Sequence, residues 1–178
     1  MSIYNNKHVV FEQVGVDSDT VVRNQSTNTD GDGCYNNWEI SNIRNSVLPT
    51  KALALSNELY ATLTNTTIQT AKNGNSSTLV STSDKTFILA EKEMNSSSTR
   101  RGSVPQEFNI LTTLGWYVSH TQNSDRVKKD PDNTARYYWL RSPYYEHNDL
   151  VISIGSNGSF DPLNTPEGAY RVSQCFAY

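Results

Sequence analysis

The first apolar segments of the chain predict a β-hairpin. Residues 8–16 are mostly apolar, and residues 20–23 form a second short apolar run beyond the polar turn at 17–19. Two such runs on either side of an Asp- and Ser-containing turn are typical of paired strands. Residues 24–33 are polar and contain Asp and Gly, so we expect a loop there.

Helical spacing appears after this loop. The apolar positions within 38–47 predict a short helix, which Pro49 ends and after which a second helix begins. In the second helix Leu55, Leu59 and Leu63 recur every four residues. This spacing places the three leucines on one helix face, so we expect an apolar stripe against the core.

The middle of the chain predicts shorter elements. Residues 68–71 and 86–90 contain β-branched and aromatic side chains and predict strands, with an Asn-Gly turn in 73–77. Residues 91–94 predict one helical turn. Residues 105–118 have apolar positions that suit a helix, but a glycine among them disfavours a helix. The sequence therefore does not decide whether this segment is helical.

The last third of the chain predicts a sheet. Residues 136–141 and 150–154 are apolar and aromatic runs, and the Asn-Gly turn in Gly155–Gly158 is typical of a tight hairpin. Residues 169–177 predict a final strand. Helices come early and strands late, without regular alternation of the two. This order indicates an α+β fold with a mainly antiparallel sheet and two early helices.

Composition narrows the functional classes. The 178 residues carry 15 basic and 18 acidic side chains, so we expect no nucleic-acid partner. No apolar run is long enough to cross a membrane. Cys34 and Cys175 are too few for a disulfide scaffold or an all-cysteine zinc site. Asn, Ser and Thr make up about a third of the chain, a bias typical of extracellular, surface-layer and virion proteins.

Four sequence blocks stand in a recognisable order. They are Trp38-x-x-Ser41-x-Ile43-Arg44, a leucine-rich helix, Thr82-Ser83-Asp84-Lys85-x-Phe87-Ile88-Leu89, and Tyr138-Trp139-Leu140-Arg141-Ser142-Pro143. This order resembles a domain of unknown function that is widespread in bacteriophage structural proteins and bacterial surface proteins. The resemblance implies a C-type-lectin-like fold, related in shape to the formylglycine-generating enzyme and to the variable proteins of diversity-generating retroelements.

The resemblance covers residues 38–178 and suggests a division of the chain. Residues 1–30 lack the Trp-Arg pair that often opens this family, and Val172 stands where the family usually has proline. We therefore predict an N-terminal attachment or oligomerisation arm at 1–30 and a C-type-lectin-like domain at 31–178. The apolar strand within the arm needs a partner sheet.

Aromatic side chains are concentrated near the C-terminus and indicate a candidate binding face. We expect recognition in the loops 143–148 and 162–168, because loops after strand ends are held by a rigid scaffold. The predicted binding residues are Tyr144, Tyr145, Glu146, His147 and Asn148. Tyrosine offers rigid contact area, while Asn and Glu can hold hydroxyl groups. The alternative is packing within the sheet, where alternation along 137–141 leaves one face as core.

The charged residues of the family blocks are interpreted as structural. Arg44 and Arg141 lie in two of the blocks, and Arg171 lies in the segment 168–172 that matches the end of the family pattern. A buried arginine must be paired. Asp84 and Glu39 are the candidate partners, and ligand binding by an arginine is the less favoured alternative. The predicted structural set is Trp38, Arg44, Asp84, Trp139 and Arg141.

An acidic loop raises the question of a metal. Residues 28–39 match the ligand spacing of an EF-hand calcium loop, with Asp30, Asp32 and Glu39 among the oxygen ligands. The residues before this loop predict a strand, whereas an EF-hand requires a helix. A polar turn is therefore the favoured interpretation, and we predict no metal and no cofactor.

Catalytic motifs do not occur in the sequence. His8, His120 and His147 are far apart, and none lies in a known catalytic pattern. Together with the family that the four blocks resemble, this leads us to expect a non-enzymatic bacteriophage virion protein, a capsid or tail surface component such as a head fibre or decoration protein. Its partners would be other virion proteins, copies of itself and a host surface glycan. The alternative is a carbohydrate- or receptor-binding module of an extracellular or bacterial surface protein.

Overall fold

The computed structural model describes residues 10–53, 55, 57–76, 78–94, 120 and 122–177. The helical segments are a π-helical turn at Ile43–Val47, α1 (Leu48–Leu53), α2 (Asn57–Thr62), α3 (Glu91–Met94) and α4 (Asn123–Arg126). The strands are β1 (Val10–Glu12), β2 (Val21–Val22), β3 (Thr66–Ala71), β4 (Leu79–Asp84), β5 (Thr86–Phe87), β6 (Tyr138–Pro143), β7 (Val151–Ile154), β8 (Phe160–Asn164), β9 (Ala169–Tyr170) and β10 (Cys175–Ala177).

These strands form small antiparallel sheets. One three-stranded sheet has the order β1-β10-β5 and joins early and late parts of the chain, and another has the order β6-β7-β8. β2 pairs with β9, and β3 pairs with β4. All of these strand pairs are antiparallel. The predicted α+β fold with mainly antiparallel pairing is confirmed.

The β7-β8 hairpin follows its local turn signal. The Gly158 N–H donates to the Gly155 carbonyl, and the Gly155 N–H donates to the Ser159 carbonyl, both at 2.8 Å. Gly158 has a φ of 78°, a left-handed conformation that glycine adopts readily. A Cβ at Gly158 would lie 1.8 Å from the Asn123 carbonyl oxygen. The turn therefore packs directly against the start of α4.

The core gathers large side chains from distant parts of the chain. Trp38, Phe87 and Trp139 are fully buried. All six residues of β6 are buried, so the expectation that only one face of this strand is core is wrong. The buried Trp139 ring is fixed by a hydrogen bond to the backbone, because its Nε1 donates to the Val21 carbonyl at 2.9 Å. Burial of both faces makes β6 the strand around which the domain is built.

Residues 10–30 belong to the same fold as the other described residues. β1 pairs with β10 and β2 pairs with β9, so the predicted hairpin between 8–16 and 20–23 is wrong. Arg23 is fully buried, and its Nη2 donates to the Arg141 carbonyl at 2.8 Å. The first strand finds its partner within the chain, and the fold has no break at residue 30. An attachment role for residues 1–30 stays a prediction.

Pro49 does not end a helix, contrary to the sequence prediction. The π-helical turn leads directly into α1, with Leu48 in right-handed helical geometry and Pro49 next to it. Proline is tolerated in the first turn of an α-helix, because the N–H that it lacks has no partner there in any case.

The predicted leucine stripe is not a continuous helical face. Leu63 is buried, but it follows α2, whereas Leu55 precedes α2 and is half-buried, as is Leu59. The buried positions of α1 are Leu48 and Ala52 instead. Spacing alone predicted one long helix where the chain forms two short ones.

The predicted final strand is divided in two. Residues 171–174 separate β9 from β10, and Arg171 exchanges backbone hydrogen bonds with β6 and its flank instead: its N–H donates to the Tyr137 carbonyl at 3.0 Å. The Trp139 N–H donates to the Arg171 carbonyl at 3.1 Å. The segment 105–118, left open between helix and loop, lies outside the described residues.

Candidate functional site

The predicted binding residues lie in the connection between β6 and β7, which we call the rim loop (residues 144–149). The Tyr144 N–H donates to the Leu150 carbonyl at 2.9 Å and closes its base. The buried Asn36 side chain donates to the carbonyls of His147 and Leu150 at 2.7 and 2.9 Å. The Tyr35 N–H donates to the Asn148 carbonyl at 3.1 Å. Residues far away in sequence therefore fix the backbone of this loop.

The turn between β3 and β4 provides a further anchor. The Glu146 N–H donates to the Gly74 carbonyl at 2.8 Å. A Cβ at Gly74 would lie 1.9 Å from the His147 carbonyl oxygen and 2.1 Å from that of Tyr144, so this approach requires glycine. Glu146 has a φ of 61°. A non-glycine residue holds that conformation only where its surroundings impose it.

The rim loop presents a mixed aromatic and polar surface. The rings of Tyr144 and His147 stack, with centroids 5.1 Å apart and planes 24° from parallel. Tyr144 also packs against the core, and Tyr145 is half-buried. The side chains of Glu146, His147 and Asn148 are exposed. The structure thus brings all five predicted binding residues together on one anchored loop.

The second predicted loop, residues 162–168, begins inside a strand, because β8 extends to residue 164. Tyr35 lies close to both loops. Burial, followed by the carboxylates of Asp149 and Glu167, raises the pKa of the Tyr35 phenol. Sequence reasoning missed Tyr35 because nothing in its neighbourhood along the chain links it to the C-terminal loops.

Arg141 forms a fully buried ion pair with Glu93. Its two terminal nitrogens donate to the two carboxylate oxygens. Arg141 Nε donates to the Thr70 hydroxyl at 3.0 Å, and Nη1 donates to the Ile88 carbonyl at 2.7 Å. Glu93 also accepts the Ala90 N–H at 2.8 Å. The pair joins β6 to β3 and α3, and sequence reasoning did not identify Glu93 as the partner.

Arg44 pairs with Asp84 at the edge of a cleft of about 360 Å³. Arg44 Nε donates to Asp84 Oδ1 at 2.8 Å. Glu39 accepts from Arg44 through its backbone carbonyl at 3.1 Å, so the prediction of a carboxylate partner at Glu39 is wrong. Elsewhere on the cleft, the Lys85 ammonium lies 4.4 Å from the Tyr60 ring centroid.

The acidic loop at 28–39 is organised by Asp30. One carboxylate oxygen accepts the N–H groups of Asp32 and Cys34 at 2.9 and 3.0 Å. The other accepts the side chains of Asn37 and Asn73 at 3.1 and 2.9 Å. Burial raises the pKa of Asp30, but these hydrogen bonds outweigh it and lower the pKa below its usual value. These hydrogen bonds favour the interpretation of residues 28–39 as a polar turn. Through Asn73 this turn is bonded to the β3-β4 turn, which in turn holds the rim loop.

Two kinds of feature are absent from the described part of the chain. There, no three His, Cys, Asp or Glu side chains are grouped as metal ligands. In the same ranges, no helix is long and apolar enough to span a membrane.

A second aromatic surface surrounds Tyr137, which lies just before β6. Its ring stacks on Tyr170 of β9, and the two flank a groove of about 170 Å³ that also contains Arg136 and Arg171. Sequence reasoning noted the tyrosines and Arg171 separately. It missed their meeting because β6 and β9 are brought together by contacts between residues far apart in sequence.

The chain matches one family model over residues 12–176, the domain of unknown function DUF6273. Because this match covers most of the chain, the protein belongs to that family. No curated protein and no solved structure shows significant similarity to it.

Proposed function

We propose that this protein is a non-enzymatic, C-type-lectin-like component of the bacteriophage virion surface and that its rim loop recognises a glycan on the host cell. The observation that carries the proposal is the anchoring of the rim loop. Asn36, Tyr35 and Gly74 hold its backbone while Glu146, His147 and Asn148 stay exposed. The order of the four sequence blocks supports the virion context.

An anchored loop suits recognition because its conformation needs little ordering when a ligand binds. The stacked Tyr144 and His147 rings offer an aromatic surface beside the amide of Asn148 and the carboxylate of Glu146. Aromatic faces pack on the apolar side of a sugar ring, and amides and carboxylates hydrogen-bond its hydroxyls. Such contacts are weak singly, so many copies on one particle would supply the avidity.

The buried charges also favour a binding role over catalysis. Among the described residues, Glu93 is paired with Arg141, Asp84 with Arg44, and Asp130 with Arg136. Carboxylates held by arginines in this way join segments of the fold, whereas a general acid or base must be within reach of a substrate.

The test is the double substitution Tyr144→Ala/Tyr145→Ala in the phage that encodes the protein. Particles that assemble normally but adsorb poorly to host cells would support glycan recognition. Tyr60→Ala, which removes another half-buried tyrosine away from the rim loop, is the matched control and should adsorb normally.

Other outcomes of these experiments would indicate a different function. Loss of assembly would assign the rim loop to a contact with a neighbouring virion protein. Recovery of the protein in the cell envelope, and not in particles, would favour the alternative of a bacterial surface module. Normal assembly and normal adsorption together would contradict both roles of the loop.

A further inference from the structure

The groove beside Tyr137 is a fixed feature of the fold. It lies between the start of β6 and β9, and two backbone hydrogen bonds join these two segments: Arg171 N–H to the Tyr137 carbonyl and Trp139 N–H to the Arg171 carbonyl, at 3.0 and 3.1 Å. None of its lining residues belongs to the rim loop. Any ligand of this groove would therefore be bound independently of the rim loop.

One wall of the groove is aromatic. The Tyr137 and Tyr170 rings stack with centroids 5.3 Å apart, and Tyr170 contacts the Trp139 ring at 4.6 Å. The Tyr170 hydroxyl donates to the Asn164 side-chain oxygen, which fixes the ring. Tyr137 is 41% exposed, so part of its ring remains open to a ligand. A tyrosine ring that is held in place and partly exposed is suited to pack against a sugar ring.

The other wall carries two arginines that share one carboxylate. Asp130 Oδ2 accepts from Arg136 Nε at 2.6 Å and from Arg171 Nη2 at 3.5 Å. Asp130 Oδ1 accepts the N–H groups of Asp132 and Thr134, both at 3.1 Å. All of the acceptor positions of this carboxylate are therefore engaged, and two positive charges face one negative charge.

The arginines keep hydrogen-bonding capacity that the protein does not use. Among the described residues, Arg171 Nη2 bonds Asp130 at 3.5 Å, the upper limit of a hydrogen bond, and the Arg171 side chain is 13% exposed. A guanidinium held by so long a contact has donor capacity left for an anionic ligand. Within the described ranges, the Arg136 side chain is bonded through Nε alone, and it is 39% exposed. Asp161, the other acidic residue close to Tyr170, bonds the Leu163 N–H and neither arginine.

We propose that this groove binds an anionic sugar, with the carboxylate or phosphate on the two guanidinium groups and the ring on Tyr137. The planar guanidinium group can donate two parallel hydrogen bonds to a carboxylate or a phosphate. Such charge-assisted hydrogen bonds are stronger than those between neutral groups. The aromatic wall selects for a ring next to the anion, because a free inorganic anion would not use it.

The test is a titration of the full chain, followed by amide NMR, with glucuronate, glucose 6-phosphate and glucose. We expect saturable shifts at Tyr137, Tyr170 and Arg171 with one or both anionic sugars, and at least about tenfold weaker binding of glucose. The stronger of the two anionic ligands identifies the source of the anion. Glucose binding as tightly as both would overturn the proposal, and so would an absence of shifts with all three.

Three variants separate the parts of the groove. Arg136→Gln should weaken binding of the anionic sugar by about tenfold or more. Tyr137→Leu should weaken it as well, whereas Tyr137→Phe keeps the ring and should bind normally. Unchanged binding in both Arg136→Gln and Tyr137→Leu would overturn the proposal, and either variant alone suffices if the other fails to fold.

The rim-loop variant keeps the two proposals distinguishable. Tyr144→Ala/Tyr145→Ala leaves the groove intact and should bind the anionic sugar normally. Loss of groove binding in this variant would contradict the independence of the two sites. Failure of host adsorption by the rim loop would leave the groove titration unaffected.

Discussion

The buried Arg141–Glu93 pair provides a sharp prediction about stability. Arg141→Met replaces the guanidinium with an apolar chain of similar length. Glu93, whose side chain is 2% exposed, would keep the Ala90 N–H as its donor and lose the two from arginine. The Thr70 hydroxyl and the Ile88 carbonyl would each lose a donor as well.

The expected loss of folding stability in Arg141→Met is large because the Glu93 carboxylate is left buried without its counterion. Removing one partner of a buried ion pair typically costs about 3–5 kcal/mol. Ordinary domains have a total stability of about 5–15 kcal/mol, so the variant would be close to unfolding at room temperature if the domain lies at the lower end of this range. Arg141→Met/Glu93→Met removes the stranded charge and should be more stable than the single variant by about 2 kcal/mol.

Urea unfolding followed by tryptophan fluorescence measures these differences, since Trp38 and Trp139 are buried. Lys72→Met is the control: it breaks an ion pair with Asp32 in which the two side chains are 34% and 54% exposed, and it should lower the stability far less than Arg141→Met does. The reasoning is refuted if Arg141→Met unfolds at the same urea concentration as the wild type. It is also refuted if the double variant is less stable than Arg141→Met.

Three further predictions concern other contacts. Gly74→Ala should displace the rim loop and cost about 1–3 kcal/mol by urea unfolding, whereas Gly31→Ala, whose Cβ has no neighbour within 4 Å, should be neutral. Trp139→Ala should lower stability by about 3–5 kcal/mol, and near-unchanged thermal unfolding would contradict its placement. The hydrogen bond from Arg136 lowers the pKa of Asp130 below its usual 3.8. Asp130→Asn should therefore destabilise the protein most at neutral pH, and its difference from wild type should shrink as the pH falls below that value; a constant difference would argue against the pairing.

Local signals predicted the C-terminal sheet well. The β7-β8 hairpin depends on an Asn-Gly turn and on apolar runs beside it, all within a short stretch of sequence, and it forms where expected. The early strands were harder to predict. β1 and β2 are two or three residues long and pair with β10 and β9, more than 140 residues away. A sequence pattern carries no information about partners at that distance, so local signals alone predict pairing with the nearest apolar run.

Only the part of the candidate site that is continuous in sequence could be predicted. The rim loop was identified because its aromatic and polar residues are consecutive. Its anchors, Asn36 and Gly74, come from other parts of the chain, and no pattern in their own neighbourhoods connects them to it. Glu93 was missed in the same way, because a buried arginine requires an acidic partner without indicating which one.

The location of the protein in purified phage particles tests the central claim most directly. Gold-labelled antibody against this protein, imaged on intact particles, measures both its presence and its exposure. The proposal predicts many labels per particle on the capsid or tail surface. Particles that carry no label and no copies of the chain by mass spectrometry, while the host cells contain the protein, would contradict it.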